Sequence, residues 1–284
     1  MAAISIGDLL RRAIGWSLGH PGALVRVSAP PIAFALIFRF AIDWLWGDEI
    51  AAMMTAQAPS GAAMMGMALS GLVLLLTIAL IAVSWHRYVL RGQIVPFPAD
   101  AATLRFALYQ VWLGLLGLVV VMAGLFVLSI VFGILGGPAL MQSIASGALQ
   151  SSGLSTALSL TVLITALMTV PFAFYGLIFP ATAIGDAGLV AAESRRLLRG
   201  HRMAVLAALI AISVLFLVVA TGVGLLLDAV LPDADGGFGL ADILATLVSL
   251  AITALEVSVF AGVLSELYRA LRLPELTRGG AAPE

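Results

Sequence analysis

Apolar residues run almost unbroken through six stretches of the chain, 23–46, 62–85, 106–135, 156–178, 203–227 and 241–267, and charge, glycine or proline returns between them. A helix of about 20 apolar residues crosses a bilayer core, so the pattern predicts an all-α bundle of six membrane-spanning helices. The stretch 106–135 exceeds that length, which predicts a tilted helix or one whose last turns leave the hydrocarbon.

Two shorter segments are apolar on one helical face only. Before the first long run, Ile6, Leu9, Leu10, Ala13 and Ile14 recur at helical spacing, while Asp8, Arg11 and Arg12 take the other side. Ser5 stands where an N-cap hydroxyl belongs and Asp8 precedes Arg12 by one turn, so a cap and an i,i+4 ion pair are expected. In 187–199, Ala187, Val190, Ala191, Ser194, Leu197 and Leu198 form one face, Glu193, Arg195, Arg196 and Arg199 the other, and Gly200 suits a C-terminal stop. Both segments read as amphipathic helices lying at the membrane interface. The chain is then one integral membrane unit over 1–284: an interfacial helix at 1–22, a six-span bundle at 23–267 that carries the second interfacial helix, and a tail at 268–284.

Charge orients this frame. All fourteen basic residues are arginines, and they alternate between the ends of the spans. Arg11 and Arg12 precede the first span; the connection after it has Asp43, Asp48 and Glu49. The next carries Arg87, Arg91 and Arg105, the third has no charge between Gly136 and Ser155, and the fourth holds Arg195, Arg196, Arg199 and Arg202. Asp228, Asp233, Asp235 and Asp242 follow in the fifth, and Arg269, Arg272 and Arg278 in the tail. Arginine is retained on the cytoplasmic side during insertion, so both termini are expected inside a bacterial inner membrane. Trp16, Trp85, Tyr88, Tyr109, Trp112 and Tyr268 near the inner boundary, with Trp44 and Trp46 near the outer one, fit interfacial aromatic belts. Arg11-Arg12 is not read as a cleaved twin-arginine signal, because Gly15, Trp16, His20 and Pro21 interrupt the apolar core that such a signal needs.

Composition agrees. Hydrophobic residues make up 62% and charged residues 10%, with a mean hydropathy of +1.14, against about 25% charged in soluble domains. The net charge of -1 hides the sidedness of the arginines and gives no reason to expect a nucleic-acid partner. The chain has no cysteine, which excludes disulfides, thiolate nucleophiles and cysteine metal sites.

A register of 181 residues recurs. Gly19-His20 and Ala23 match Gly200-His201 and Ala204; Ser84, Leu90 and Arg91 match Ser265, Leu271 and Arg272. This suggests an interfacial helix plus two spans, repeated, with the third and fourth spans between the copies. Leu90-Arg91-Gly92-Gln93 beside Leu198-Arg199-Gly200-His201 needs only the ordinary preference for arginine in a last turn and glycine beyond it.

Charges inside spans are functional candidates by default. Glu256 lies near mid-span between Ile252-Thr253-Ala254-Leu255 and Val257-Ser258-Val259-Phe260. It reads either as a proton-coupling or cation-binding carboxylate, or as a strut hydrogen-bonded to Ser258 or a hydroxyl of another span. Arg39 and Asp43, one turn apart, read as a neutralising pair, and Arg26 as a headgroup anchor. Pro171 and Pro180 predict a kinked or hinged fourth span, and Gly66, Gly71, Gly114 and Gly117 predict close helix packing. Enzyme motifs are missing: His20, His86 and His201 lack the HExxH spacing, no phosphate-binding loop is possible without lysine, and Gly185-Asp186 has no partner aspartate in another span. The convergence of His86, His201 and Asp186 on one pocket would revive an enzyme reading.

The segment Phe179-Pro180-Ala181-Thr182-Ala183-Ile184-Gly185-Asp186, continuing through Ala192-Glu193-Ser194-Arg195-Arg196-Leu197-Leu198-Arg199-Gly200-His201, resembles the membrane domain fused to some glycerophosphoryl diester phosphodiesterases and the related stand-alone bacterial six-span proteins. Leu198-Arg199-Gly200 fits the family pattern, Ala191 matches the alanine before Ser194 only with altered spacing, and the N-terminal helix and the Ser265 to Arg272 ending extend the likeness over nearly the whole chain. The resemblance implies an inner-membrane helical domain. The metal-binding catalytic barrel of that family has no counterpart here, so the resemblance implies no phosphodiester hydrolysis.

Two functional expectations follow. The first is a non-enzymatic accessory or organising module, without metal or cofactor, whose Arg11, Arg12, Arg87, Arg91, Arg195, Arg196, Arg199 and Arg202 contact anionic lipid headgroups, each worth about 1 kcal/mol near such a surface. The alternative is a small transporter or lipid-handling protein that uses Glu256 and a bend at Pro171; a water-connected cavity touching Glu256 would favour it, and a tightly packed, dry Glu256 would sink it.

Overall fold

The computed structural model describes residues 5–54, 60–145, 153–230 and 240–274, and every regular element among them is helical. In chain order these are α1 (Ile6–Gly19), α2 (Pro21–Met54), α3 (Gly61–Arg91), α4 (Ala101–Ala145), α5 (Gly153–Thr169), α6 (Phe172–Tyr175), α7 (Ile178–Ile184), α8 (Ala191–Leu198), α9 (Arg202–Val230) and α10 (Leu240–Leu271). Five of them, α2, α3, α4, α9 and α10, are long and apolar enough to cross a membrane. A sixth candidate is broken: Ser159–Tyr175 and Ile178–Ile184 meet at 59°. The protein is a polytopic helical membrane protein. Its third inter-span connection lies partly outside the described residues, as do Asp233, Asp235 and Arg278.

The helices begin and pack where local chemistry directs. Ser60 accepts from the Ala63 N–H at 3.0 Å to start α3, and Asp100 accepts from the Thr103 N–H at 3.1 Å to start α4. α2 continues past Trp46 because it packs on the start of α3, where a Cβ on Gly66 would stand 2.9 Å from Ile50 Cδ1 and 3.1 Å from Trp46 Cβ. Gly117 lies equally close to Met168 of α5, whereas Gly71 and Gly114 have open space, so only the first two serve as close-packing positions.

The core sits at the arginine-rich end, where Leu113, Leu177, Phe179, Leu198, Leu264 and Leu267 are fully buried. Elsewhere α4 and α9 present exposed Val119, Met122, Phe126, Val218, Leu225 and Leu226, an apolar exterior suited to hydrocarbon.

The two amphipathic helices differ from expectation. Ser5 occupies the N-cap position of α1 without a side-chain cap, and Asp8 pairs with Arg11 at 3.2 Å, because Arg12 turns toward Glu266. The buried face of α1, Leu9, Ala13 and Ser17, packs against α10, where a Cβ on Gly262 would lie 3.3 Å from Ala13 Cα. That face is therefore covered by protein. The second helix spans Ala191–Leu198, shorter than 187–199, since Asp186 and Gly188 form a turn before it. Leu189 is buried in place of Val190, which is exposed. Gly200 is not left-handed; among the described glycines only Gly92 (φ 68°) and Gly185 (φ 74°) are, ending α3 and α7.

The 181-residue register coincides with helix ends. α9 starts at Arg202, 181 residues after the start of α2 at Pro21, and α10 ends one residue before the counterpart of Arg91. Packing does not follow it, for α1 lies along α10 whereas α8 lies on α6.

Candidate functional site

α10 carries polar residues along one face at helical spacing, Thr246, Ser249, Thr253 and Glu256, and two cavities open on that face. The deeper one, about 250 Å³, lies where α10 meets α3, α4, α6 and α7. Glu256 and Thr253 line it from α10, His86 from α3 and Gln110 from α4. Its wall is aromatic: Phe106 and Phe179 have ring centres 4.6 Å apart, Phe172 stacks on Phe179 at 5.5 Å, and Phe260 meets Phe172 edge-on at 5.3 Å.

The break in the fourth span builds this wall, because it sets Phe172 of α6 beside Phe179 of α7. Pro171 stands at the N-cap of α6 and Pro180 within α7, while the sharp bend falls between them, at Gly176 and Leu177. A Cβ on Gly176 would stand 2.6 Å from the Phe172 carbonyl oxygen and 2.9 Å from Leu264 Cδ2, so the bend against α10 requires glycine.

Hydrogen bonding in the cavity is incomplete. His86 Nδ1 and Ser265 Oγ are 2.7 Å apart and fully enclosed, which ties α3 to α10. Gln110 Oε1 is buried with no partner among the described residues. Glu256 makes no hydrogen bond or ion pair among the described residues. Ser258, its expected partner, instead donates to the Ala254 carbonyl at 2.8 Å within α10.

The second cavity, about 480 Å³, lies between α2, α3 and α10 and is lined by Arg39, Ser70, Thr246 and Ser249. Arg39 Nε donates to Asp43 Oδ2 at 2.7 Å, so the pair expected from sequence forms and leaves this space without an unmatched charge.

Below the deep cavity, the end of α10 anchors the arginine-rich side. Buried Glu266 accepts from Trp16 Nε1 at 3.1 Å and Arg269 at 2.6 Å, with Arg12 at 3.7 Å, while a second nitrogen of Arg269 donates to the Val89 carbonyl at 2.6 Å. Asp186 accepts from the Tyr268 hydroxyl at 2.7 Å and Arg272 Nε at 3.2 Å. Burial opposes its charge, but these bonds, the Gly188 N–H and the charge of Arg272 hold its carboxyl below the usual range. Tyr268 and Trp85, expected in an aromatic belt, are fully buried, Tyr268 on account of Asp186. Trp44 is 84% exposed.

The arginines assigned to lipid divide into two groups. Arg87, only 15% exposed, donates to Asp100 at 2.7 Å and to the Ala183 carbonyl at 2.8 Å, and Arg91 donates to the Ile184 carbonyl. Arg202 lies over the Phe174 ring at 4.4 Å and donates to the Arg195 carbonyl at 3.2 Å. These three serve the fold. Arg11, Arg12, Arg195, Arg196 and Arg199 remain exposed, although Arg196 also grips Glu193 through two bonds of 2.9 and 2.7 Å. Burial of Glu193 is slight, and the bonds from Arg196 hold its carboxyl below the usual range.

His86 lines the deep cavity, whereas Asp186 and His201 do not. No group of three or more histidines and carboxylates among the described residues is placed to hold a metal ion.

No family model, curated protein or solved structure matches the chain. The deep cavity is therefore assigned by its own chemistry. Sequence pattern singled out Glu256 but passed over Gln110, Gly176 and Glu266. Gln110 leaves a readable signal, an amide inside an apolar run; Glu266 sits one residue from the predicted span boundary at 267, where nothing local marks it as buried.

Proposed function

We propose that this chain is a six-span protein of the bacterial inner membrane, with both termini cytoplasmic, that binds and moves a small amphipathic ligand through the cavity at Glu256. One observation carries the reading: Glu256, an acid with no partner among the described residues, lines a cavity that is also lined by Gln110, whose amide oxygen likewise has no partner among them. Intramembrane carboxylates mark substrate and ion pathways, and concave apolar sites with few convergent polar groups are binding sites. The orientation rests on the arginine alternation. The motif resemblance of 179–201 to the membrane domain of glycerophosphoryl diester phosphodiesterases is in keeping with the same cellular setting, and the reading remains non-enzymatic.

A second role has its own support. Arg195 and Arg199 are exposed on or beside the short helix α8, where they suit anionic headgroups on the cytoplasmic leaflet. This contact would hold the bundle in place while the cavity handles the ligand.

The native chain lacks cysteine, which allows a direct test. Thr253→Cys should react with a charged, water-soluble methanethiosulfonate reagent, and Leu215→Cys, on the exposed apolar face of α9, should not. A Thr253→Cys protein as inert as Leu215→Cys would overturn the reading.

A further inference from the structure

Resting on the ligand-handling reading above, we infer that the ligand is an amphipathic monocation, an amine or quaternary ammonium on an apolar body, taken up in exchange for the proton of Glu256. Charge selects the head group. Among the described residues Glu256 is the one acid lining the cavity, and no arginine lines it. The other titratable group there is His86 on α3, whose Nδ1 is engaged with Ser265. From α4 the neighbours are Gln110 and Phe106, from α6 and α7 Phe172 and Phe179, and from α10 Thr253 and Phe260, none of which ionises. A carboxylate in that setting needs either a proton or a cation brought from outside. An anionic ligand would meet like charge and no arginine.

The unmet hydrogen bonds agree. Gln110 Oε1 and the carboxylate of Glu256 both present oxygen lone pairs to a positive charge, which an amine meets through its N–H and a quaternary ammonium by charge alone. Size and wall select the body. About 250 Å³ has room for roughly eight waters at about 30 Å³ each, enough to seat a single-ring amine. Phenylalanine faces attract cations as well as apolar carbon, so the linked rings of Phe106, Phe179, Phe172 and Phe260 serve both parts of such a molecule.

The exchange balances. As the cation enters, the O–H bond of Glu256 breaks, its proton passes to water and leaves, and the carboxylate pairs with the ligand nitrogen. No bond of the ligand changes, and the net charge of the cavity stays constant. Re-protonation of Glu256 reverses the step and releases the cation.

Isothermal titration of the purified full-length protein with benzyltrimethylammonium, and with its neutral isostere neopentylbenzene, tests this in buffers of different ionisation enthalpy. The expected result is release of one proton per cation bound below the titration of the acid, with affinity rising about tenfold per pH unit in that range. Glu256→Gln should weaken cation binding at least about tenfold and leave the isostere unaffected. The proton count on the unmodified protein decides the matter even where the variant does not fold. Equal binding of both probes without proton release would overturn the cation assignment and leave the ligand-handling reading intact. Binding of neither probe would overturn both.

Discussion

Arg91 and Arg272 stand 181 residues apart, at the ends of α3 and α10, and both close on one turn of chain: Arg91 donates to the Ile184 carbonyl and Arg272 Nε to Asp186 Oδ2 at 3.2 Å. One helical turn earlier on each helix the same register recurs, where Arg87 donates to the Ala183 carbonyl at 2.8 Å and the Tyr268 hydroxyl to Asp186 at 2.7 Å. The final carbonyls of a helix need partners outside it, and α7 finds two of them in arginines of α3, while α10 holds the Asp186 carboxylate just beyond the helix end. Since α7 carries Phe179 of the cavity wall, this clamp fixes the site from below. The four side chains are equivalent by register, and the turn they hold has no counterpart in the repeat.

Tyr268→Phe removes a hydrogen bond to a charged acceptor in a buried setting. It should lower stability by about 2 kcal/mol, measured by thermal unfolding in detergent. An unchanged midpoint would show that Asp186 is held adequately by Arg272 and the Gly188 N–H.

Asp186 also sets an acid limit. Its carboxyl is held below the usual range, so its stabilisation is fully present above about pH 4, the ordinary aspartate value, and is lost as pH falls through the lower folded value. Asp186→Asn should flatten the stability profile in that window while lowering stability at neutral pH. A variant that retains the acid limb of the native protein would contradict this.

Two glycines give opposite expectations. Gly185→Ala forces a side chain into φ 74° at the clamped turn and should cost about 1 kcal/mol or more. Gly200→Ala meets open space in a permitted conformation and should be neutral or stabilise by up to about 1 kcal/mol. Chemical or thermal unfolding of the pair measures the contrast.

Hydropathy made the helices legible, because apolar length is a local property. The Arg39–Asp43 pair was legible for the same reason, both partners lying one turn apart on a single helix. Contacts between distant parts were not. The capture of Arg12 by Glu266, which took it from Asp8, spans most of the chain, and the placement of Arg87 against Ala183 depends on where α7 ends. Likewise, two prolines announced a disrupted fourth span, but the bend fell at Gly176, where contact with Leu264 of α10 decides the geometry.

Gln110→Leu removes an amide whose oxygen is buried without a partner. The variant should match or exceed the native protein in stability by about 1 kcal/mol while binding the cationic probe more weakly. Loss of stability instead would mean that the amide is satisfied and structural.

Arg195→Gln combined with Arg199→Gln should reduce retention on vesicles rich in anionic lipid by about fivefold per arginine, an effect that high salt suppresses. Arg87→Gln should act chiefly on unfolding, since that side chain is committed to Asp100 and Ala183. Equal lipid effects from all three would place Arg87 at the headgroups.

Among the described residues Glu256 is an acid without a partner, and we propose that it faces a cavity that small molecules enter. Treatment of the purified protein with dicyclohexylcarbodiimide, an apolar reagent for carboxylic acids, followed by peptide mass mapping, tests it directly. The adduct should form on Glu256, whereas Glu266, held by Trp16, Arg269 and Arg12, should stay unmodified. An unmodified Glu256, or equal modification of both acids, would contradict the account.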